Sequence, residues 1–410
     1  MNVFFIKFDN VTNQKLYPMK KYLLLIVAAT ISISMFAQQT TRTLNWDGTD
    51  RQYIEYVPTS YTGDNPTPVI FCLHGLGDDM TNFSSALALN AFGEASGWLI
   101  ITPQALMAQV MGMDFGTAWN SGVAAYGTVI GDVILNENVD DSGFLTAVLD
   151  SLENNLNINT DSIFFMGFSM GGFMCNRMAL EHGDRITAIA SVSGTIGASL
   201  TPAAFANVNA LHIHGDADTQ VTYDNADFDT GVGVYSVGTG ALETVEYWRN
   251  YNNCDVDPIV NIWPDTQADG KTFERYVYLN GDNDSYVAHI KVIGGDHEWY
   301  YTPQNDMDYS TEIYKFFTNT MDFSVGITNS DFSSNNITLY PNPARNFIHV
   351  VIGENETAVL RVYDILGSLV KTEKVENHQV VDLRDFPEGM YIFRFLSNNK
   401  TIDKKIMVTR

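Results

Sequence analysis

The sequence has 410 residues, of which 45% are hydrophobic and 12% aromatic, a composition typical of globular proteins. This length exceeds that of one ordinary domain, so two domains are expected. The net charge of −25 is concentrated in residues 38–337, which carry 9 basic and 38 acidic residues, whereas residues 338–410 carry 10 and 9. So acidic a body repels phosphate backbones and anionic lipids, which disfavours nucleic acid and membrane surfaces as partners.

The first 37 residues are predicted to be a signal peptide. Lys20-Lys21 precede an apolar run, Tyr22–Phe36, of signal-peptide length that is too short to span a bilayer comfortably. Cleavage is expected after Ala37, and Met19 is an alternative start of translation. We therefore expect export through the periplasm and no membrane span in the mature protein.

Between residues 51 and 320, apolar runs of strand length alternate with helical patterns. Continuous runs such as Pro68–Leu73 predict central strands buried on both faces of a sheet. Residues 104–140 are rich in Met, Gly and Ala and are predicted to be irregular. Because this segment is too long for an ordinary connection, it is predicted to form functional surface. The alternation predicts an α/β fold with a mostly parallel sheet flanked by helices. Further predicted elements are strands at Arg51–Pro58, Trp98–Thr102, Thr187–Val192, Ala210–His214, Phe273–Leu279 and Ala288–Val292, and helices at Asp141–Leu156, Glu243–Tyr251 and Tyr309–Asn319.

The pattern changes after residue 321. Residues 322–337 are rich in Ser and Asn and are predicted to be a linker. Residues 338–410 contain short strands separated by turns, without helical periodicity, which predicts a small all-β sandwich. The expected organisation is a signal peptide over 1–37, an α/β domain over 38–321, the linker, and the sandwich.

The stretch around Ser169 carries the strongest functional motif. An apolar run, Ile163–Met166, leads into G-x-S-x-G at Gly167–Gly171, and a helical pattern continues to Leu180. In such a strand–turn–helix unit the serine is held in a strained backbone that exposes its Oγ, and the helix N-terminus faces a developing oxyanion. The alternative is a glycine-rich turn that holds an idle serine.

A serine nucleophile requires a histidine base and an acid that orients it, in the chain order Ser, Asp or Glu, His for this type of fold. His297 follows a predicted strand and precedes the last predicted helix, so its loop can approach the serine. His182 lies on the helix after the nucleophile, and His378 lies in the predicted sandwich. We therefore assign His297 as the base, the alternative being a surface loop histidine.

The acid is expected in the loop after the strand that ends at His214. Asp218 lies further past the strand end and is assigned as the acid, with Asp216 as the alternative. The run His212-Ile-His214-Gly-Asp216 also resembles a metal-binding pattern. The binuclear form of that pattern requires a histidine after the aspartate, where Ala217 stands, so no metal site is predicted.

The chain offers candidates for oxyanion donors and substrate contacts. His74-Gly75-Leu76 ends the strand expected beside the nucleophile strand, so the backbone N–H groups of Leu76 and Met170 are predicted to form the oxyanion hole. Aromatic residues near these motifs are expected to supply stacking surface, although the tryptophans could equally be core residues. The predicted substrate contacts are His74, Trp119, Trp299 and Tyr300.

Together these motifs resemble the α/β-hydrolase family that includes polyhydroxybutyrate depolymerases and feruloyl or acetylxylan esterases. The resemblance implies Ser169 as nucleophile, Asp218 as acid and His297 as base. The sequence departs from the family at Met170, Asp216, Asp296 and Tyr300, where Asn, Thr, Gly and Pro are frequent. The matching motifs are Leu73–Gly75, Trp119–Gly122, Val139–Phe144, Gly167–Met174, His214–Val221, Trp248 with Asn253-Cys254, Gly295–Trp299 and Phe316-Phe317.

Residues from about 338 to 410 resemble the type A sorting domain of the type IX secretion system. The resemblance rests on Leu339–Ala344, Tyr363–Gly367, the turn Pro387–Tyr391 and the basic end Lys404–Arg410. It implies passage across the outer membrane by the type IX machinery, with release or attachment at the cell surface. The alternative is a carbohydrate-binding β-module.

These patterns predict a secreted serine esterase that forms an acyl-enzyme and requires no cofactor. The expected substrates are polyhydroxyalkanoate-type esters or feruloyl and acetyl esters of polysaccharides. Two alternatives remain: an exopeptidase on the same fold, and a non-catalytic surface binding protein.

Overall fold

The structure, a computed structural model, describes residues 38–231, 233–321, 337–352, 357–365, 368–376, 378–397 and 400–410. The predicted signal peptide and all of the predicted linker except Ile337 lie outside these residues. Among the described residues, no helix combines the length and the apolarity that crossing a bilayer requires.

Ten of the sixteen strands described in residues 38–293 form one large sheet. The strands of this region are β1 Gln38–Trp46, β2 Thr49–Val57, β3 Thr67–Leu73, β4 Leu99–Pro103, β5 Leu106–Val110, β6 Met113–Ala118, β7 Ala124–Thr128, β8 Gly131–Ile134, β9 Ile158–Phe168, β10 Ala188–Val192, β11 Asn209–Gly215, β12 Asp227–Asp229, β13 Val234–Ser236, β14 Ile259–Ile262, β15 Thr272–Tyr278 and β16 Val287–Ile293. The order in the sheet is β1-β2-β4-β3-β9-β10-β11-β16-β15-β14. The six strands from β4 to β16 pair in parallel, and those at both edges pair antiparallel.

Helices cover both faces of this sheet. They are α1 Met80–Ala86, α2 Leu89–Ser96, α3 Asp141–Asn155, α4 Met170–His182, α5 Ala241–Tyr251 and α6 Tyr309–Phe317, with short 3₁₀ turns at Gly183–Arg185 and Asp282–Asp284. Side chains of β3 alternate between two cores: Val69, Phe71 and Leu73 pack with α3, α4 and α5, whereas Ile70 and Cys72 pack with α1, α2 and α6. The continuous apolar run of β3 is thereby explained, because both faces of a central parallel strand are buried. The predicted α/β architecture is confirmed.

Residues 104–140 are more regular than predicted. They fold into two antiparallel hairpins, β5–β6 and β7–β8, and a third hairpin, β12–β13, follows later in the chain. Their tight reversals use glycines with positive φ, such as Gly112 and Gly131. The segment contains few β-branched residues before Thr128, so local preference alone gave little indication of strands. Strands β1 and β14 and helix α2 were likewise not predicted.

The C-terminal residues form a separate all-β unit. Its strands are β17 Thr338–Tyr340, β18 Phe347–Val351, β19 Thr357–Tyr363, β20 Leu369–Glu376, β21 His378–Asp382, β22 Gly389–Ser397 and β23 Lys400–Val408. One sheet has the order β17-β18-β21 and the other β20-β19-β22-β23. Both contribute to one core cluster, which also contains Ile337, a residue assigned to the linker by the sequence prediction. The predicted small all-β domain is confirmed.

Candidate active site

Ser169 stands at a sharp turn between β9 and α4. Its backbone has φ 54° and ψ −122°, a conformation that non-glycine residues rarely adopt and that costs about 1–3 kcal/mol. The Ser169 N–H donates to Val192 O at 2.8 Å, and its carbonyl accepts from Phe173 N–H at 3.1 Å. These bonds hold the strained turn, which is the nucleophile geometry expected for a G-x-S-x-G motif.

Glycines surround the turn because neighbouring backbones leave no room for side chains. A Cβ on Gly171 would lie 2.0 Å from Leu73 O, and one on Gly167 would lie 2.3 Å from the Gly171 carbonyl carbon. Gly194, which the sequence prediction overlooked, is equally constrained: its Cβ would lie 2.3 Å from Ser169 O. Alanine at any of these positions would displace the turn at Ser169, the nucleophile elbow.

His297 and Asp218 lie in the loops that follow β16 and β11, and their side chains are in contact. His297 Nδ1 is 2.8 Å from Asp218 Oδ2. The other carboxylate oxygen, Oδ1, accepts hydrogen bonds from the backbone N–H groups of Gln220 and Val221, each at 2.9 Å. Since an ionised carboxylate only accepts, the His297 proton resides on Nδ1, and Nε2 is left to act as a base.

His297 also lies next to the nucleophile turn. Its ring packs against Phe168, the residue before Ser169, with ring centroids 4.9 Å apart. Within the described residues, no hydrogen bond joins the Ser169 hydroxyl to His297. Such bonds are often long before substrate binds, so this geometry is compatible with a serine–histidine pair.

Asp216 and Asp296, at which the sequence departs from the family pattern, connect the loop of Asp218 to the loop of His297. Asp216, the alternative acid, accepts from Gly294 N–H at 2.7 Å and pairs with Lys291 Nζ at 3.3 Å. Asp296 Oδ1 accepts from the backbone N–H and the hydroxyl of Thr219, at 2.9 and 3.0 Å. Both carboxylates therefore fix the loops relative to each other, and neither contacts the imidazole of His297 in the part of the chain that the structure describes.

The side chain of a second histidine lies next to the Asp218 carboxylate. His214 Nε2 lies 3.2 Å from Asp218 Oδ2 and 2.8 Å from Val221 O. Burial alone would raise the pKa of the Asp218 carboxyl, but hydrogen bonds from His214 and His297 outweigh burial and hold the pKa below its ordinary value. In the sequence, His212 and His214 alternate along one strand and resemble a metal-binding pattern. That pattern gave no indication that His214 lies beside the acid.

Behind His214 lies a buried chain of neutral rings. His212 Nε2 is 3.2 Å from His214 Nδ1, and His289 Nδ1 is 3.0 Å from His212 O. The Tyr223 hydroxyl is 2.7 Å from His289 Nε2. Burial lowers the pKa of His289 to about 4 and that of His212 well below its ordinary value. These imidazoles are thus neutral near pH 7, and they support the acid loop by packing and hydrogen bonds.

The predicted oxyanion donors border a cavity of about 270 Å³. Leu76, Met170 and Ser169 all line it. Met170 is the first residue of α4, so its N–H lacks an acceptor in a preceding helical turn. The loop of Leu76 is fixed to β6 by the Gly77 N–H, which donates to Thr117 O at 2.8 Å. The two predicted donors therefore share one cavity with the serine, and their role stays a prediction.

Three of the four predicted substrate contacts lie in the core. His74 and Trp119 are fully buried; Trp119 Nε1 donates to His74 O at 2.9 Å, and the two rings are 5.2 Å apart. Tyr300 is 2% exposed, and its hydroxyl accepts a backbone hydrogen bond at 2.8 Å. Burial leaves these side chains no surface for a ligand, which corrects their predicted role. Trp299 is partly exposed but packs edge-on against Phe168 outside the cavity lining.

A buried ion pair supports the segment between the hairpins. Arg51 Nη2 lies 2.6 Å from Asp141 Oδ1, and both side chains are at most 2% exposed. Asp141 Oδ2 accepts the backbone N–H of Asn120 at 2.6 Å, and the Arg51 guanidinium lies 4.1 Å from the centre of the Phe144 ring. The family motifs at 119–122 and 139–144 are therefore structural, because they anchor the β5–β6 hairpin to α3.

Comparison with known proteins agrees with this architecture. Residues 59–227 match the phospholipase/carboxylesterase family, and residues 338–409 match the secretion system C-terminal sorting domain. NocK of Nocardia uniformis subsp. tsuyamanensis, whose name assigns it to the esterases, is 28% identical over 57% of this chain and 65% of its own length. Feruloyl esterase D of Neurospora crassa is 27% identical over 38% of this chain and 49% of its own.

A bifunctional acetylxylan esterase/xylanase of Neocallimastix patriciarum, XynS20E, is 22% identical over 61% of this chain and 31% of its own. The chain thus spans about a third to two thirds of the length of these curated relatives. Among solved structures, an acetyl xylan esterase from Aspergillus awamori overlaps 68% of this chain and 99% of its own, with 14% identity and a TM-score of 0.46.

Within a domain that has the α/β-hydrolase fold, residues 59–227 therefore match the phospholipase/carboxylesterase family model, and the C-terminal residues 338–409 match that of the secretion sorting domain. The resemblance to feruloyl and acetylxylan esterases that the sequence indicated is confirmed, as is the predicted fold class. The sorting domain indicates that the protein is exported.

Proposed function

We propose that the protein is a secreted serine hydrolase of carboxylic esters. The observation that carries this proposal is the 2.8 Å contact between His297 Nδ1 and Asp218 Oδ2, in loops beside the strained turn at Ser169. A base that is oriented by a buried acid and lies beside a serine on a strained turn is the arrangement that acyl transfer requires.

The chemistry proceeds through an acyl-enzyme. His297 Nε2 accepts the Ser169 hydroxyl proton as Oγ attacks the ester carbonyl carbon, and the N–H groups of Leu76 and Met170 stabilise the resulting oxyanion. Collapse of this intermediate breaks the ester C–O bond, and His297 delivers the proton to the leaving alcohol. Water, deprotonated by the same imidazole, then attacks the acyl-enzyme and releases the carboxylic acid.

The substrates that we propose are esters attached to polymers. Two curated relatives are named feruloyl and acetylxylan esterases. The sequence motifs also resemble those of polyhydroxybutyrate depolymerases. The acidic body suits neutral substrates better than anionic ones. We further propose that the type IX machinery recognises the sorting domain and delivers the enzyme to the medium or the cell surface.

The test compares residues 38–410 with Ser169→Ala and with Ser60→Ala, a control at an exposed serine. Initial rates are measured on p-nitrophenyl acetate, methyl ferulate, acetylated xylan and a hydroxybutyrate oligomer, and the serine is labelled with a fluorophosphonate. We expect turnover and labelling in the parent and in Ser60→Ala, and neither in Ser169→Ala. A parent that is inert on all four esters and unlabelled would overturn the proposal and favour a binding protein.

A further inference from the structure

The cavity beside Ser169 is almost entirely apolar. Its volume of about 270 Å³ is larger than the roughly 150 Å³ of an apolar cavity that holds benzene. The hairpins β5–β6, β7–β8 and β12–β13 build its outer walls, and Phe173 of α4 lies at its inner side. The lining residues that the structure describes include no charged side chain.

The few hydroxyl groups in the lining are mostly engaged. Apart from Ser169, they belong to Thr128, Thr230 and Tyr235. Thr128 Oγ1 donates to Gly131 O, and Thr230 Oγ1 donates to Gly233 O at 2.9 Å, so both hold their own hairpin turns. A hydroxylated or charged ligand would give up hydrogen bonds to water on entering this cavity and would regain few of them from the protein. An apolar ligand has no such hydrogen bonds to give up, and its transfer from water is favourable.

The tips of the first two hairpins extend the apolar surface outward. Large apolar side chains are normally buried, yet several here are strongly exposed. These are Met107 (47%), Met111 (71%), Met113 (68%), Phe115 (44%), Val129 (84%) and Ile130 (47%). Clustered exposure of this kind marks a binding surface, and Phe115, Val129 and Ile130 belong both to this surface and to the cavity lining.

We propose that this cavity binds the acyl group of the ester and selects unsubstituted apolar acyl groups, of octanoyl or cinnamoyl size, over acetyl and over hydroxylated aromatic acyl groups. Acetyl and feruloyl esters, for which two of the relatives are named, are thereby expected to be the slower substrates of this chain. The inference rests on the proposed ester hydrolysis, because the cavity opens at Ser169 and at the predicted oxyanion donors. Burial of extra methylene groups in such a cavity raises kcat/KM for the longer acyl group, since the same contacts persist in the transition state.

The first experiment uses residues 38–410 and two matched pairs of esters. We expect kcat/KM for p-nitrophenyl octanoate to exceed that for the acetate by at least about tenfold, the gain that even a single methylene gives in an apolar pocket. Methyl cinnamate differs from methyl ferulate only by lacking a hydroxyl and a methoxy group, and we expect it to react about tenfold faster.

Variants connect these ratios to the cavity. Ala125→Phe narrows the cavity, and Phe115→Ser removes an apolar lining group whose side chain is 44% exposed. Both should lower the octanoate-to-acetate ratio at least fivefold. Phe205→Ser, at a phenylalanine that is 59% exposed and lies outside this lining, is the matched control and should leave the ratio unchanged.

The outcomes separate this inference from the proposed function. Turnover with equal or higher kcat/KM on acetate and ferulate, or ratios that neither cavity variant changes, would overturn the inference and leave serine ester hydrolysis standing. Absence of both turnover and fluorophosphonate labelling would overturn the hydrolase itself, and the inference with it.

Discussion

Asp218 is unusual because one carboxylate oxygen contacts two imidazoles. Oδ2 lies 2.8 Å from His297 Nδ1 and 3.2 Å from His214 Nε2, while Oδ1 accepts two backbone N–H groups. A carboxylate held by three hydrogen bonds, with a further imidazole beside it, resists rotation and does not readily take up a proton. His297 is therefore held in one orientation with Nδ1 protonated, as a general base requires.

The two candidate acids can be separated by experiment. Asp218→Asn should lower kcat on p-nitrophenyl acetate by about 10³- to 10⁴-fold, because an amide no longer fixes the Nδ1–H tautomer of His297. Asp216→Asn is the matched control and should lower kcat less than tenfold, since Asp216 contacts Gly294 N and Lys291 instead. Rates should be normalised to the fraction labelled by a fluorophosphonate. A larger loss in Asp216→Asn would reassign the acid.

Helix α3 holds the hairpins β5–β6 and β7–β8 in position. The backbone between them is held by Asp141 at the start of α3, and Asp141 is in turn paired with Arg51 of β2. Three segments that are distant in sequence thus meet at one carboxylate. Because these hairpins line the cavity at Ser169, the ion pair links the stability of the sheet edge to the shape of the site.

Breaking this buried ion pair should destabilise the hydrolase domain. Asp141→Asn leaves the Arg51 guanidinium buried without a counter-charge, a change that typically costs 3–5 kcal/mol, so the urea midpoint should fall clearly. Glu153→Gln, which removes one of the two surface carboxylates paired with Arg185, should shift the midpoint little.

The double variant Arg51→Met/Asp141→Leu should recover part of this loss, because no buried charge remains unpaired. An Asp141→Asn midpoint equal to that of Glu153→Gln would contradict the structural role of the pair.

At the scale of the whole molecule, the two folded units have separate interiors. The sheet of residues 38–293 and its helices form cores whose last member is Met321, and the C-terminal core consists of residues 337–408 alone. Their charges also differ, since the acidic excess lies almost entirely before residue 338. We therefore expect residues 38–321 to carry out catalysis and the C-terminal unit to direct export.

Removal of residues 322–410 should therefore leave catalysis intact. We expect residues 38–321 to hydrolyse p-nitrophenyl esters with kcat/KM within about twofold of that for residues 38–410, because no core cluster of the described residues spans both units. Export in the native host should require the full chain, as measured by enzyme in the medium and on washed cells. An insoluble or inactive fragment, prepared under conditions where the full chain is active, would show that the units depend on each other.

The sequence determined the features that depend on neighbouring residues. Gly167, Ser169 and Gly171 specify the elbow because the backbone crossing there admits no side chain. The continuous apolar run of β3 specified a central strand, and the loss of helical periodicity after residue 337 specified the β-domain. Each of these signals is contained in a short window, so it can be recognised without knowing what packs against it.

Tertiary structure alone decided which residues meet. The residues Asp218 and His297 are separated by 79 positions, and whether Asp216 or Asp218 faces His297 depends on a turn that the Gln220 and Val221 N–H groups stabilise. A tryptophan such as Trp119 is as typical of a hydrophobic core as of a binding site, so the sequence could not distinguish the two. Only its complete burial in the structure showed that it belongs to the core. The hairpins around residues 104–140 form the cavity through contacts with distant strands, and contacts of that kind leave no local pattern in a sequence.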